Sequence, residues 1–174
     1  MKRDVILVKL MQGVVESILI NDFVNTPNVL FEVGSQAQIM KDLSMYDGSL
    51  TAKNKKYPFI AMVLPVRERR SSGYYAEVTI ERIVIATLNT NHNQNVLRRY
   101  QDGGTFKSVL YPVYYGFLKM LAQSKGIVGS DPDNFRHTKM DNPGSQQLNA
   151  GSKDFIDSIE IQNLELILYQ FKTC

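Results

Sequence analysis

The chain has 174 residues, 44% hydrophobic and 21% charged, a size and balance that can bury a core without a metal or disulfide staple. Its formal net charge of +3 comes from 20 basic residues spread among 17 acidic ones, which argues against a protein dedicated to coating nucleic acid. The single cysteine, Cys174, excludes an intramolecular disulfide, and no apolar run is long enough to span a bilayer, so a soluble protein is expected.

Lys2 and Arg3 precede an apolar stretch, but Asp4, Lys9 and Glu16 interrupt it and no small-residue cleavage site follows, so no export signal is read. From Asp4 to about Ile20, the residues Val5, Leu7, Val8, Met11, Val15, Ile18 and Leu19 recur at a helical period. They predict a helix that packs its one apolar face on a sheet. Asn25-Thr26-Pro27-Asn28 breaks the pattern, and Val29 to Val33 reads as a short strand ended by Gly34. Ser35 offers an N-cap to a helical piece through about Leu43. The stretch from Asp47 to Lys56, with Lys53-Asn54-Lys55-Lys56 at its end, reads as an exposed polar loop.

Tyr57 to Pro65 is almost continuously apolar, the pattern of a strand covered on both faces, and is placed centrally. Tyr74 to Leu88 begins with alternation of Ala76, Val78 and Ile80 against Glu77, Thr79 and Glu81, then turns apolar from Ile83 to Ala86. One half of that strand should be wetted and the other buried. Arg67 to Gly73 would join the two strands as a projecting hairpin loop, too long for a two-residue turn. A polar segment from Asn89 to Thr105 leads to a second main helix on Phe106, Val109, Leu110, Val113, Tyr114, Phe117, Leu118 and Leu121, in which Pro112 should kink or displace the first turn. Ser130 to Lys153 reads as a long excursion with a short strand near Phe135 to Met140. Phe155 to Phe171 is a closing strand whose alternation shifts phase at Gln162-Asn163, where a bulge is expected. The sum is an α+β fold in one domain, residues 1–174: a mostly antiparallel sheet against two main helices, with long polar loops at about 44–56 and 130–154.

Catalytic chemistry is hard to assemble from these residues. His92 and His137 lie in polar segments without a second ligand at metal spacing, and read as surface histidines. Gly103-Gly104-Thr105 precedes a helix but lacks the lysine of a phosphate-binding loop, so flexibility at the helix start is the better reading. No catalytic, cofactor-binding or metal-binding residue is assigned, and no enzyme is expected; a carboxylate set of Glu77, Glu81 and Glu160 is the weakest alternative, since strand alternation makes these solvated positions. Arg67, Glu68, Arg69 and Arg70, with Arg98, Arg99 and Lys53, Lys55 and Lys56, admit three readings: a solvated hairpin tip, a phosphate-contacting surface with Tyr74 and Tyr75 for stacking, or charged contacts between neighbouring subunits. The tyrosines at 111, 114 and 115 read as core on the apolar helix face and as interface anchors where they point outward.

Four segments together carry a family resemblance: Tyr57 to Pro65; Tyr75 to Ile80 continuing into Ile83 to Leu88; Phe106 to Tyr114 with its Leu110-Tyr111-Pro112 step; and the closing strand from Ile159 to Tyr169. In this order the chain resembles the tail-terminator or tail-completion proteins of tailed bacteriophages, and its central segment is similar to neck-ring proteins of crAss-like phages. The segments Ser35 to Lys56 and Asp131 to Lys153 are longer than the minimal family pattern. The resemblance implies a structural virion protein without enzyme activity or cofactor, made in the host cytoplasm. It also implies a homo-oligomeric ring in the neck or tail, beside portal, neck or tail proteins and around a channel for genomic DNA. Arg67, Glu68, Arg69, Arg70, Arg98 and Arg99 would then be candidate subunit contacts. No membrane is implied.

Overall fold

In a computed structural model the described residues are 4–21, 29–48, 55–70, 75–89, 95–129, 131–144 and 154–169. In chain order the elements are α1 (Asp4–Asn21), β1 (Leu30–Gly34), α2 (Gln36–Ser44), β2 (Phe59–Arg70), β3 (Tyr75–Leu88), α3 (Val96–Arg99), α4 (Tyr111–Gln123), β4 (Thr138–Asn142) and β5 (Ile156–Tyr169). The strands form one five-stranded sheet in the order β1-β2-β3-β5-β4, with β1 parallel to β2 and every other pair antiparallel. This is the α+β class expected. β3 rather than β2 occupies the middle, because β5 and β4 extend the sheet beyond β3 while only β1 lies outside β2.

The two long helices pack together on one sheet face. α1 buries Leu7, Met11, Val14, Val15 and Ile18, a helical stripe that meets Val113, Phe117 and Leu121 of α4 above Ile60, Met62, Ile83, Ile85, Ile159 and Ile161. The turn before α4, Phe106–Leu110, is wound as a π-helix, and the Tyr111 N–H donates to the Phe106 carbonyl. The wider turn brings the chain to Pro112 at the first positions of α4, where a missing N–H is tolerated, so the proline displaces the first turn without breaking the helix. On the opposite sheet face, α2 starts at Ser35, whose hydroxyl accepts from the Gln38 N–H, and lays Ile39 and Leu43 on Phe59, Ala61, Val84, Ala86 and Ile156. Phe59 to Met62 are therefore buried on both sides.

A crease crosses the sheet. In β2 the register on β3 shifts between Val63 and Val66, around Leu64-Pro65. In β3 the apolar phase moves from Val78 and Ile80 to Ile83 and Ile85, and in β5 from Leu164 and Leu166 to Ile159 and Ile161. The bulge expected in β5 is thus placed differently. β3 and β5 keep one register on both sides of Asn163, which adopts a left-handed φ of 53°, a conformation asparagine tolerates, and the extra residue lies in β2 instead.

Beyond the crease only one face of the sheet is covered. Val78, Ile80, Leu164 and Leu166 join the helix-side core, while the other face is left to Arg67, Arg69, Tyr75, Glu77, Thr79, Glu165, Ile167 and Tyr169. Arg67 to Arg70 are strand residues paired with Thr79 to Ala76, which corrects their placement in a hairpin loop; the turn itself, 71–74, lies outside the described residues. The outer edge of β5 is closed by β4, by the Arg136 carbonyl accepting from Glu165 N–H, and by Gly126 to Val128 opposite Ile167 and Tyr169. The outer edge of β2 is closed by β1 only from Phe59 to Val63, and no strand among the described residues covers it from Leu64 to Arg70.

Candidate functional site

The projecting half of the sheet gathers four of the expected contact residues. Directly opposed residues share a face, so Arg67, Thr79 and Glu165 form one cross-strand row and Arg69, Glu77 and Ile167 the next. These rows, with Val128, Asn134 and Arg136 at the β5 side, line a groove of about 780 Å³. Arg67 Nε lies 3.0 Å from Glu81 Oε1, Arg70 Nε 2.9 Å from Glu68 Oε1, and Arg136 Nη1 3.8 Å from Glu165 Oε2. Each pair is solvent-exposed on at least one side and contributes little to folding. Around them stand Tyr75 and Tyr169, with ring centroids 5.6 Å apart, and Ile167, which is 44% exposed. The surface is therefore mixed in charge with an aromatic-aliphatic end.

Arg98 and Arg99 do not join this surface as a pair. Arg98 is exposed on α3, whereas Arg99 is 4% exposed and its Nη1 donates to Asp157 Oδ1 at 2.7 Å. Asp157, fully buried, also accepts from Asn89 Nδ2, Thr105 Oγ1 and the Gly144 N–H. One carboxylate thus ties the end of β3, the loop before α4 and the turn after β4 to the start of β5. Gly103-Gly104-Thr105 belongs to this region: Gly103 has a left-handed φ of 78°, and a Cβ on Gly104 would lie 2.3 Å from the Arg99 carbonyl oxygen. The glycines serve chain geometry at the helix start.

Lys56 is a second correction. It was expected in an exposed loop but is 1% exposed, with Nζ 2.9 Å from both Asp47 Oδ1 and Asp154 Oδ2. The Tyr57 hydroxyl donates to the same Asp154 oxygen, and burial, then the Asp154 charge and hydrogen bond, push its pKa far above the ordinary value. Lys53 and Asn54 lie outside the described residues, as do His92 and Tyr74. His137, expected on the surface, is half-buried: its Nδ1 donates to the Phe135 carbonyl at 2.7 Å, and its Nε2 lies 2.6 Å from the Tyr114 hydroxyl. Beside it Tyr111 donates to Asp141 at 2.7 Å while Lys139 Nζ pairs with Asp141 and stands 4.6 Å from the Tyr111 ring centre. Tyr115 alone of these three tyrosines is strongly exposed, at 63%. Burial raises Tyr111 and pushes Tyr114 up to about 12, with Asp141 adding most to the first and Tyr115 to the second.

These clusters draw their charged and hydrogen-bonding partners from their own chain. Glu77, Glu81 and Glu160 share a sheet face without converging, since Glu160 stands opposite Val84, three residues from Glu81 and roughly 10 Å along the strand. Glu160 instead bonds Arg82 Nη2 at 2.9 Å and Gln162. Among the described residues no group of three or more His, Cys, Asp or Glu could hold a metal ion, and no helix is long and apolar enough to cross a membrane.

No protein-family model, curated protein or solved structure matches the chain. Function therefore has to be argued from the projecting half-sheet itself. What the sequence missed there is chiefly the edge: nothing in the apolar pattern of Leu30 to Gly34 says that its pairing stops at Val63.

Proposed function

We propose that the protein is a structural subunit of a homo-oligomeric ring in the neck or tail of a tailed phage virion, joining portal or connector to tail around the DNA channel. The observation that carries the reading is the projecting half-sheet, with one face packed by the helices and the other presenting Arg67, Arg69, Glu77, Glu165, Tyr75, Ile167 and Tyr169. A face of alternating charges with exposed aromatic and aliphatic residues suits a protein contact: arginine and tyrosine anchor interfaces, and interspersed opposite charges fix orientation. The family resemblance in the order of the segments supplies the virion setting. A ring requires a heterologous contact, in which one surface of a subunit meets a different surface of the next.

The same arginines could contact nucleic acid phosphates, but Glu81 and Glu68 stand beside Arg67 and Arg70, which weakens a phosphate-binding field. The two readings separate experimentally. Changing Arg67, Arg69 and Arg70 together to Glu should block particle assembly while the subunit stays folded; assembly unaffected by the triple change would remove these residues from the interface. Duplex DNA affinity that falls steeply with salt would instead favour the nucleic-acid reading.

A further inference from the structure

The outer border of β1 and β2 is a step. Over its first part the sheet ends in β1, five residues from Leu30 to Gly34 paired on Phe59 to Val63. Past Val63 it recedes by one strand, and β2 itself becomes the border, exposed from Arg67 to Arg70 and paired with β3 alone from Val66. The notch offers a length of edge, Val66 to Arg70, equal to the five residues of β1. A free strand edge is a template for pairing with another chain, and no segment among the described residues covers this one; its two helix-side charges, Glu68 and Arg70, pair with each other.

We propose that the notch is filled by β1 of a second copy of this chain, in a two-fold pair whose axis runs perpendicular to the sheet. Rotation about that axis sets the partner copy's β1 antiparallel beside the notch, in the register that keeps faces aligned and puts Glu32 of one copy opposite Arg67 of the other, and, reciprocally, this β1 beside the partner copy's notch. The two sheets then become one. Each copy keeps α1 and α4 on the same side, so sheet faces are preserved across the join. Leu30, Glu32 and Gly34 share the face of Arg67 and Arg69, because Glu32 pairs with Ala61 on the α2 side. The charges match on the shared face, where the β2 border presents Arg67 and Arg69 and β1 presents Glu32; the adjoining α2 adds Asp42 beside Lys41. Among the described residues neither Glu32 nor Arg69 has an ion-pair partner of its own. Burial and then the Asp42 charge raise the pKa of Glu32, a cost that a guanidinium alongside would relieve. Pairing notch to notch is disfavoured, since arginines would then face arginines.

The pair shares Arg67 and Arg69 with the contact face of the ring reading, so Glu32→Arg, which alters only β1, is the variant that separates the two. The test is sedimentation equilibrium of the full chain, of Glu32→Arg, of Arg67→Glu with Arg69→Glu, and of the three changes combined, with circular dichroism to verify folding. The pair should form in the wild type, weaken about tenfold or more in either charge-reversed variant, and recover in the combined one. A wild type that never pairs, or a pair indifferent to both reversals, overturns the proposal. A larger ring that survives Glu32→Arg intact would overturn it too while leaving the ring reading standing. If one variant fails to fold, recovery in the combined chain relative to the other decides.

Discussion

Arg99 and Asp157 meet at 2.7 Å inside the subunit, with 5% and 0% of their side chains exposed. An arginine next to a second arginine in a polar segment therefore serves the interior, and the aspartate that holds it anchors four separate stretches of chain. Removing one member of a buried pair leaves the other charge in low dielectric. Asp157→Ala should cost about 3–5 kcal/mol of folding stability, measured by urea unfolding, whereas Arg98→Ala on the exposed side of α3 should change it by less than about 0.5 kcal/mol.

The glycines make a sharper contrast. A Cβ on Gly104 would meet the Arg99 and Arg98 carbonyl oxygens at 2.3 and 2.5 Å, both backbone atoms that cannot rotate away. Gly104→Ala should destabilise by about 1–3 kcal/mol. Gly13, exposed in the interior of α1, has nothing within 4 Å of its Cβ position, so Gly13→Ala should stabilise by about 0.5–1 kcal/mol through helix propensity. Thermal unfolding of the two variants should move in opposite directions.

Alkaline pH should unfold the protein through its tyrosines. Tyr57, Tyr111 and Tyr114 all have pKa values raised above the ordinary 10, chiefly by burial. The folded state keeps protons that the unfolded chain gives up, so stability is fully present below about pH 10 and falls as pH rises beyond it. Urea midpoints measured across that range should be flat below pH 10 and then decline, and Tyr57→Phe should make the decline shallower. A midpoint that holds or rises above pH 10 would contradict the buried hydroxyls.

Much of this architecture is legible in the residues. The spacing of Leu7, Met11, Val15 and Ile18 marks α1, Ser35 caps α2 as its side chain allows, and the change from alternation to continuous apolar character in β3 marks where α2 begins to cover the second face. The failures share one cause. Lys56, Arg99 and His137 sit in polar segments and read as surface groups, yet the lysine and the arginine find carboxylates 98 and 58 residues away in sequence, and the histidine bonds a tyrosine of α4. Local pattern registers polarity but not a partner brought near by folding. The phase change in β5 was visible at Asn163, but its form depended on β2, where the extra residue lies. The arginine run reads as a loop in sequence, because the alternation of Arg67 and Arg69 with Val66 and Glu68 is strand-like only once their pairing with β3 is known.

Arginine charge on the projecting half of the sheet should be dispensable for folding. Arg67 and Arg70 make exposed pairs with Glu81 and Glu68, which contribute little. The Arg67, Arg69 and Arg70 triple change to Glu should shift the urea midpoint only slightly, corresponding to about 1 kcal/mol or less, while abolishing association. Loss of folding along with association would mean that the face serves the subunit's own core.

The most direct measurement is negative-stain electron microscopy of the purified protein at high concentration, with its mass in solution determined on the same sample. The account predicts closed rings of uniform diameter and a mass that is an integral multiple of the 19.8 kDa chain. A monomer that remains single at every concentration, with the projecting face unoccupied, would contradict it.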